Sequence, residues 1–317
     1  MNMKIVAPAS SIEEVKKFNE LEVDEIYFGL KSLEDKEIED RKWDSVNERF
    51  EKKGNFTNVE EIKKVYELNK NASKSAELSL TLNRAFYTND QLKRALNQIK
   101  KTKKYINNYI IADPSLINPV KKIAPNLNIK LSCISVCLNP ETAKFFKNRG
   151  IKRIALPRHL TLKEIKEIKK ESDIELESMI LNQFCRNIDG FCYRCHIPVP
   201  GKDRFITNCN ISFRQKIFNI DSNKREMKNA DRNIASILNR FNPFCGICFL
   251  KRLKKLGVNH LKIVGRSNST ERKVNDIKFI QNALSFSDIR KSDYIKKCKK
   301  LFEEYYGFKC KNNCYFD

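Results

Sequence analysis

Residues 4–30, KIVAPASSIEEVKKFNELEVDEIYFGL, contain a short apolar strand, an amphipathic helix and a second apolar strand. Ser10 and Ser11 precede the helix, and serine is a preferred N-cap because its hydroxyl accepts a hydrogen bond from the first helical turn. Two parallel strands need a crossover connection, which is usually a helix. The stretch therefore predicts the first βα unit of a parallel sheet.

The alternation of strand and helix continues along the chain and gives eight predicted strands. They are residues 4–8, 25–30, 77–83, 109–113, 129–135, 153–158, 175–181 and 260–266. Eight βα units predict a closed (β/α)8 barrel of the TIM type, a fold of about 250 residues. The 317 residues of the chain are enough for one such barrel and a large excursion.

Two connections are longer than the others, and long loops in a compact domain are usually functional or disordered. One is residues 31–57, and the other is residues 182–258, between the seventh and eighth strands. Loops at the C-terminal ends of barrel strands form the active site in this fold. We therefore predict a barrel at 1–266 that includes the excursion 182–258, followed by a helical, cysteine-containing tail at 267–317.

The chain carries 62 basic and 39 acidic residues, a formal net charge of +23. A field of this sign attracts the phosphates of nucleic acids and speeds their encounter with the protein. Lysines that only solvate helix faces explain the same composition, so charge alone leaves RNA binding open. No early stretch has the pattern of a signal peptide, and the apolar runs are shorter than the roughly 20 residues of a membrane span. We expect a cytoplasmic protein.

Eleven cysteines in a reducing compartment indicate thiolate ligands rather than structural disulfides. Six of them lie in the excursion or at its borders: Cys185, Cys192, Cys195, Cys209, Cys245 and Cys248. Four thiolates suit either a 4Fe-4S cluster or a tetrahedral zinc ion. Two CxxC pairs, at 192–195 and 245–248, are typical of zinc sites. The spacing alone leaves both metals open.

The sequence around these cysteines resembles the peptidase U32 family, which includes collagenase-like proteins and oxygen-independent hydroxylation proteins. ELESMILNQFCRNIDGFC, at 175–192, is similar to the family signature of an acid, an apolar stretch, a cysteine and Gly-x-Cys. PFCGICFLKRLKKLGVNHLKIVGR, at 243–266, is similar to its closing cysteine, helix and strand. Residues 131–168 resemble its central portion. The resemblance runs through most of the chain.

The resemblance implies a 4Fe-4S cluster on Cys185, Cys192, Cys209 and Cys245. Cys195 and Cys248 are then extra thiols, which either form a second site with Cys310 and Cys314 or lie near the first. We expect Cys133 and Cys137 to be core thiols, since free cysteine is often buried. The implied activity is an oxygen-independent hydroxylation or other modification of RNA or another anionic substrate, and a second U32-like subunit is left open.

Four further residues are candidates for the chemistry because they lie at or near strands that point toward the cysteines: Arg158, His159, Glu177 and Arg266. An arginine there would hold a carboxylate or a phosphate in a bidentate fork. Each also has a structural interpretation, as a barrel salt bridge or, for His159, as a helix cap. Asn83 and Asp113 end two strands where barrel substrates are often contacted.

Some residues depart from the family pattern. Leu181 and Asn182 replace a His-Gly pair, His159 replaces an acid, and Val264 replaces a glutamate. These departures imply that the reaction of typical family members is either altered in this chain or carried out by a partner subunit.

Two other functions stay open. A zinc-stabilised protein that binds nucleic acid or peptides is one, and a peptidase is the other. The chain has no HExxH or GxSxG motif, which counts against proteolysis.

Overall fold

The computed structural model describes residues 3–31, 46–48, 52–183, 185, 188–191, 197–198, 205–206, 244–312 and 314–316. Eight parallel strands form a closed barrel, because β1 pairs with both β2 and β12. The predicted (β/α)8 barrel is confirmed. In chain order the strands are β1 (Lys4–Pro8), β2 (Glu25–Leu30), β3 (Asn55–Phe56), β4 (Glu77–Leu82), β5 (Asn108–Ile111), β6 (Asn128–Leu131), β7 (Ile151–Ala155), β8 (Glu175–Asn182), β9 (Ile197–Pro198), β10 (Phe205–Ile206), β11 (Phe244–Cys245) and β12 (Val258–Ile263).

Each predicted strand overlaps one barrel strand, but five predictions ran past the C-terminal end, three of them by three residues or more. The strand predicted at 129–135 ends at Leu131, and Cys133–Ser135 form a 3-10 turn. Those predicted at 153–158 and 260–266 end at Ala155 and Ile263.

Four two-residue strands were not predicted, since two residues carry no readable periodicity, and two of them, β3 and β11, belong to the barrel sheet. β3 pairs in parallel with the end of β2, and β11 pairs antiparallel with the end of β8. Both therefore lie at the C-terminal end of the barrel, which we call the mouth.

The described helices are α1 (Ile12–Glu20), α2 (Val59–Lys70), α3 (Asn89–Thr102), α4 (Ile117–Ile123), α5 (Pro140–Asn148), α6 (Leu162–Ser172), α7 (Leu250–Lys255), α8 (Thr270–Ser285) and α9 (Lys291–Tyr306). Ser11, Asn58 and Thr161 accept a hydrogen bond from the first turn of the helix that follows. Side-chain caps of this kind satisfy backbone donors that have no partner inside the helix. The capping residues thus set where these helices begin.

The two faces of the barrel strands differ in chemistry. Outward-facing residues such as Phe28, Leu80 and Ile154 are buried against the helices and form one continuous hydrophobic core. Residues that face the lumen are mostly polar, and at the N-terminal end of the strands, which we call the base, they include buried Glu25, Lys130 and Arg153.

After β12 the chain forms α8 and α9 and then returns to the mouth. The tail ends there with Tyr315, which is buried against Cys133 and Met179. Among the described residues, no helix is both long and apolar enough to cross a membrane.

Candidate site at the mouth of the barrel

The end of β8 places two of the predicted cysteine ligands at the mouth. Cys185 follows the last strand residue by three positions and is buried. Cys245 lies on β11 opposite Leu181. Cys192, Cys195 and Cys209 lie outside the described residues, so the set of four thiolates stays a prediction.

Cys245 is surrounded by the extra cysteines of the sequence. Burial raises the pKa of its thiol well above the ordinary value, and the nearby Cys248, Cys310 and Cys314 raise it further. The backbone of Cys314 also forms an isolated parallel β-bridge with that of Cys245, and no disulfide joins the two thiols. No three His, Cys, Asp or Glu side chains are arranged to hold a metal ion within the described part of the chain. The tail cysteines therefore lie near Cys245 without a completed coordination geometry.

Two further cysteines lie in the core, as expected. Cys133 and Cys137 are buried, and burial raises the pKa of each thiol to about 12. Such thiols are inert at neutral pH because the thiolate is the reactive form.

Arg158 is engaged by an aspartate of the excursion. Its Nε lies 3.0 and 3.2 Å from the two carboxylate oxygens of Asp189, and its backbone N–H donates to the same carboxylate at 2.8 Å. Its Nη1 donates to the carbonyl of Gln183 at 2.7 Å. Burial opposes ionisation of Asp189, but Arg158 outweighs it and lowers the pKa of the carboxyl. Arg158 thus fastens the excursion to the loop after β7.

His159 lies beside the first predicted ligand. Its Nε2 is 3.1 Å from the carbonyl oxygen of Cys185. His159 and Arg158 therefore hold the start of the excursion from two neighbouring positions.

Glu177 lies at the base and not beside the cysteines. It pairs with Lys262 at 2.7 Å and with Arg153 at 3.4 Å, and its side chain is 2% exposed. Burial opposes its ionisation, yet Lys262 and Arg153 lower the pKa of the carboxyl. The structure therefore separates Glu177 from Arg158 and His159.

Arg266 follows β12 and points into the mouth. Its Nη1 donates to Asn55 Oδ1 at 3.0 Å and to Thr81 Oγ1 at 3.1 Å. A Cβ placed on Gly29 would lie 2.1 Å from that Nη1, so the glycine makes room for the guanidinium. Gly29, Asn55 and Thr81 were not among the predicted site residues. Gly29 lies inside an apolar strand, and a glycine there often marks a place where another group approaches the backbone closely, so it was the one available signal.

The two other polar residues at strand ends are structural. Asp113 accepts hydrogen bonds from the backbone of Tyr87 and Ser115, at 2.9 and 2.8 Å. Asn83 accepts one from the backbone of Glu48 at 3.4 Å.

Asn182, which departs from the family pattern, ties the end of β8 to α8. Its Nδ2 donates to Val264 O and to Asp276 Oδ2, both at 2.8 Å, and it adopts a positive φ of 85°. Asparagine tolerates this left-handed conformation better than most residues. Arg272 pairs with the same Asp276 at 2.9 Å. The departure thus has a structural role at the edge of the mouth.

The tail covers one side of the mouth. The Tyr315 hydroxyl donates to the carbonyl of Gln183 at 2.7 Å, and its ring lies 6.0 Å from that of Phe244. The ring of Phe316 lies 5.6 Å from that of Phe249. Nothing in the sequence pattern indicated that the tail returns to β8.

The chain is similar to proteins named tRNA hydroxylation proteins and to one named an uncharacterized protease. A tRNA hydroxylation protein P of Helicobacter pylori is 26% identical over 226 residues, which cover 69% of this chain and 49% of that protein. The tRNA hydroxylation protein P1 of Bacillus subtilis is 36% identical over 83 residues, or 26% of this chain and 20% of that protein. An uncharacterized protease of Methanocaldococcus jannaschii is 27% identical over 204 residues, or 60% of this chain and 43% of that protein. The chain thus spans about a fifth to a half of the length of these curated relatives.

Among solved structures, a U32 peptidase matches 57% of this chain and 69% of its own, with a TM-score of 0.44 and 12% sequence identity. The model of peptidase family U32 matches residues 10–312, nearly the whole chain. The chain therefore belongs to peptidase family U32.

Proposed function

We propose that this chain is an oxygen-independent modification enzyme that hydroxylates tRNA, with a 4Fe-4S cluster at the mouth of the barrel. One observation carries the proposal: Cys185 and Cys245, two of the four cysteines that the family resemblance assigns as ligands, both lie next to the end of β8 at the mouth. The relatives named tRNA hydroxylation proteins support the substrate class.

The proposed ligands are Cys185, Cys192, Cys209 and Cys245. The donors that the structure describes suit such a group in kind and place, because Cys185 and Cys245 are both thiols and both lie next to the end of β8. When bound, the cluster would supply redox chemistry at the mouth.

The residues around the cysteines have separate tasks in this proposal. His159 contacts the carbonyl oxygen of Cys185, and Arg158 donates to that of Gln183. Together they fix the start of the excursion. Arg266 follows β12, the neighbour of β8, and its guanidinium reaches Asn55 and Thr81, where it binds an anionic group of a small co-substrate. Tyr315 and the tail exclude water from one side. The net charge of +23 attracts the RNA.

Metal analysis after anaerobic purification tests the cluster. We expect iron and acid-labile sulfide near four per chain, as in a 4Fe-4S cluster, with broad visible absorption. Cys185→Ser and Cys245→Ser should lose both, whereas Cys310→Ser and the buried control Cys137→Ser should keep them. Wild-type protein without iron, or Cys185→Ser with a full complement, would contradict the proposal.

The substrate needs a separate test. The chain is expressed without oxygen in a bacterial host that lacks its own tRNA hydroxylation proteins, and the tRNA nucleosides are analysed by mass spectrometry. We expect a nucleoside one oxygen atom heavier than its parent, absent with Cys185→Ser. If wild type and variant give the same nucleosides, tRNA hydroxylation is wrong.

The neighbours of Cys245 favour one alternative, a zinc-stabilised RNA-binding protein without catalysis. Cys248, Cys310 and Cys314 lie close enough to affect its thiol, and a CxxC pair is typical of half a zinc site. One zinc ion per chain without iron, lost in Cys310→Ser and Cys314→Ser, would support this alternative over the cluster.

A further inference from the structure

In the described part of the chain, four large hydrophobic side chains are exposed: Phe86, Phe145, Ile188 and Phe191. Phe145 lies on α5, in the outer ring of helices. The other three lie in connections that leave the C-terminal ends of β4 and β8, at the mouth. Phe86 is 59% exposed and Phe191 is 57% exposed. The rim of the mouth thus presents two aromatic rings to solvent.

The two rings lie on the same side of the mouth. Gly190 adopts a positive φ, and a Cβ placed on it would lie 2.2 Å from the carbonyl oxygen of Ile134. The segment that carries Phe191 therefore rests on the loop after β6. Phe86 follows β4, and β4 and β6 are separated only by β5. Two strand spacings amount to roughly 10 Å.

Phe145 differs from these two residues in its surroundings. The guanidinium of Arg149 lies 3.5 Å from its ring centroid, and the ring of Phe146 packs against it at 5.2 Å. Among the described residues, Phe86 and Phe191 have no such ring or cation contact. Their faces are therefore available for stacking.

The loop that carries Phe86 is held in place and includes a partly buried arginine. Tyr87 donates from its hydroxyl to Val46 O at 2.7 Å and from its backbone to Asp113 at 2.9 Å. Arg84, two residues before Phe86, has a buried Nε without a hydrogen-bond partner in the described part of the chain. An arginine beside an exposed aromatic ring is a combination that binds a phosphate and a base together.

We propose that Phe86 and Phe191 stack on unpaired bases of an RNA loop and that Arg84 contacts a phosphate between them. This inference rests on the proposed function, and it narrows the substrate to the single-stranded part of the RNA. Base-paired nucleotides offer no free faces, whereas loop nucleotides can splay out onto aromatic side chains. A second copy of this chain is a poor occupant, because both copies would carry a charge of +23.

Binding measurements with the anaerobically purified full chain test this inference. Fluorescence anisotropy compares a short unstructured RNA with a duplex of the same sequence, over a range of salt concentrations. We expect Phe86→Ala and Phe191→Ala each to weaken binding of the single strand by about fivefold or more, with an unchanged salt dependence. Arg84→Gln should weaken it and reduce the salt slope by about 0.7. The exposed control Phe145→Ala should bind like wild type.

Melting temperatures of all variants exclude loss of folding as the cause. If wild type binds the single strand while Phe86→Ala and Phe191→Ala bind it equally well, this inference is wrong and the proposed function stands. If wild type binds no RNA at all, the proposed function fails first. If the two variants convert a dimer into a monomer, the rings form a contact between copies and the inference is also wrong.

Discussion

The base and the mouth of the barrel differ in the surroundings of their charged side chains. At the base, Glu25 pairs with Lys130 at 2.7 Å and with Arg153 at 2.6 Å, and no more than 4% of any of these side chains is exposed. At the mouth, Arg266 contacts the neutral Asn55 and Thr81, while aromatic rings are exposed on the rim. The base therefore consists of buried charges that satisfy one another and support the fold, whereas the mouth combines one internal pair, Arg158 with Asp189, with exposed aromatic rings.

The largest expected effect is loss of stability when the base network is broken. Glu25→Ala removes the buried carboxylate that Lys130 and Arg153 share and leaves both beside the partly exposed Glu77, and breaking a buried ion pair in this way costs about 3–5 kcal/mol. Urea unfolding of the variant should show this fall in the free energy of unfolding. Glu13→Ala is the control, because Glu13 forms an exposed pair with Lys17 and should change stability by less than about 0.5 kcal/mol. If both substitutions lower the free energy of unfolding equally, the buried pairs of the base contribute no more stability than an exposed pair.

His260 gives the stability of the base a pH dependence. It is buried, neither ring nitrogen has a hydrogen-bond partner among the described residues, and burial, aided by Arg153, lowers its pKa to about 4. Glu177, Glu25 and Glu175 oppose this shift. The folded state thus keeps His260 neutral between about pH 6.5 and 4, where the unfolded chain binds a proton.

The free energy of unfolding should therefore fall as the pH falls from about 6.5 toward 4, by up to about 3 kcal/mol at 1.36 kcal/mol per pKa unit. Above pH 6.5 this contribution is fully present and constant. His260→Gln should flatten the dependence in that window, as measured by urea unfolding at several pH values. A variant that keeps the wild-type slope would show that another group is responsible.

The smallest of the three effects is expected at the mouth, and it concerns activity. Arg266→Lys keeps the charge but loses the planar fork, and a hydrogen bond to a charged group contributes about 1.5–3 kcal/mol. We expect at least about tenfold less modified tRNA nucleoside, with a much smaller change in stability than for Glu25→Ala. Arg149→Lys, on the outer helix α5, is the control. If Arg266→Lys unfolds as readily as Glu25→Ala, the mouth and the base do not differ as described.

The sequence predicted the barrel because strand and helix alternate with clear periods, and those periods reflect local burial. It did not predict which luminal charges meet, since Glu25 and Arg153 are 128 positions apart. Glu177 was grouped with the mouth because strand alternation gives the face of a residue but not its depth along the barrel. Arg158 was assigned either to an anion or to a salt bridge, and the structure pairs it with Asp189 of the excursion. The return of Tyr315 to Gln183 depends on contacts across 132 positions, which no local pattern records. The 4Fe-4S cluster, the cytoplasmic location and a second U32-like subunit stay predictions.

The charged side chains that fill the base have a kinetic consequence. Buried ion pairs occupy the base, so a small reactant would reach Arg266 by way of the rim. An RNA loop stacked on Phe86 and Phe191 would block that passage. Turnover by the proposed enzyme should then be compulsorily ordered: the small reactant enters before the RNA, and its remnant departs only after the RNA has left.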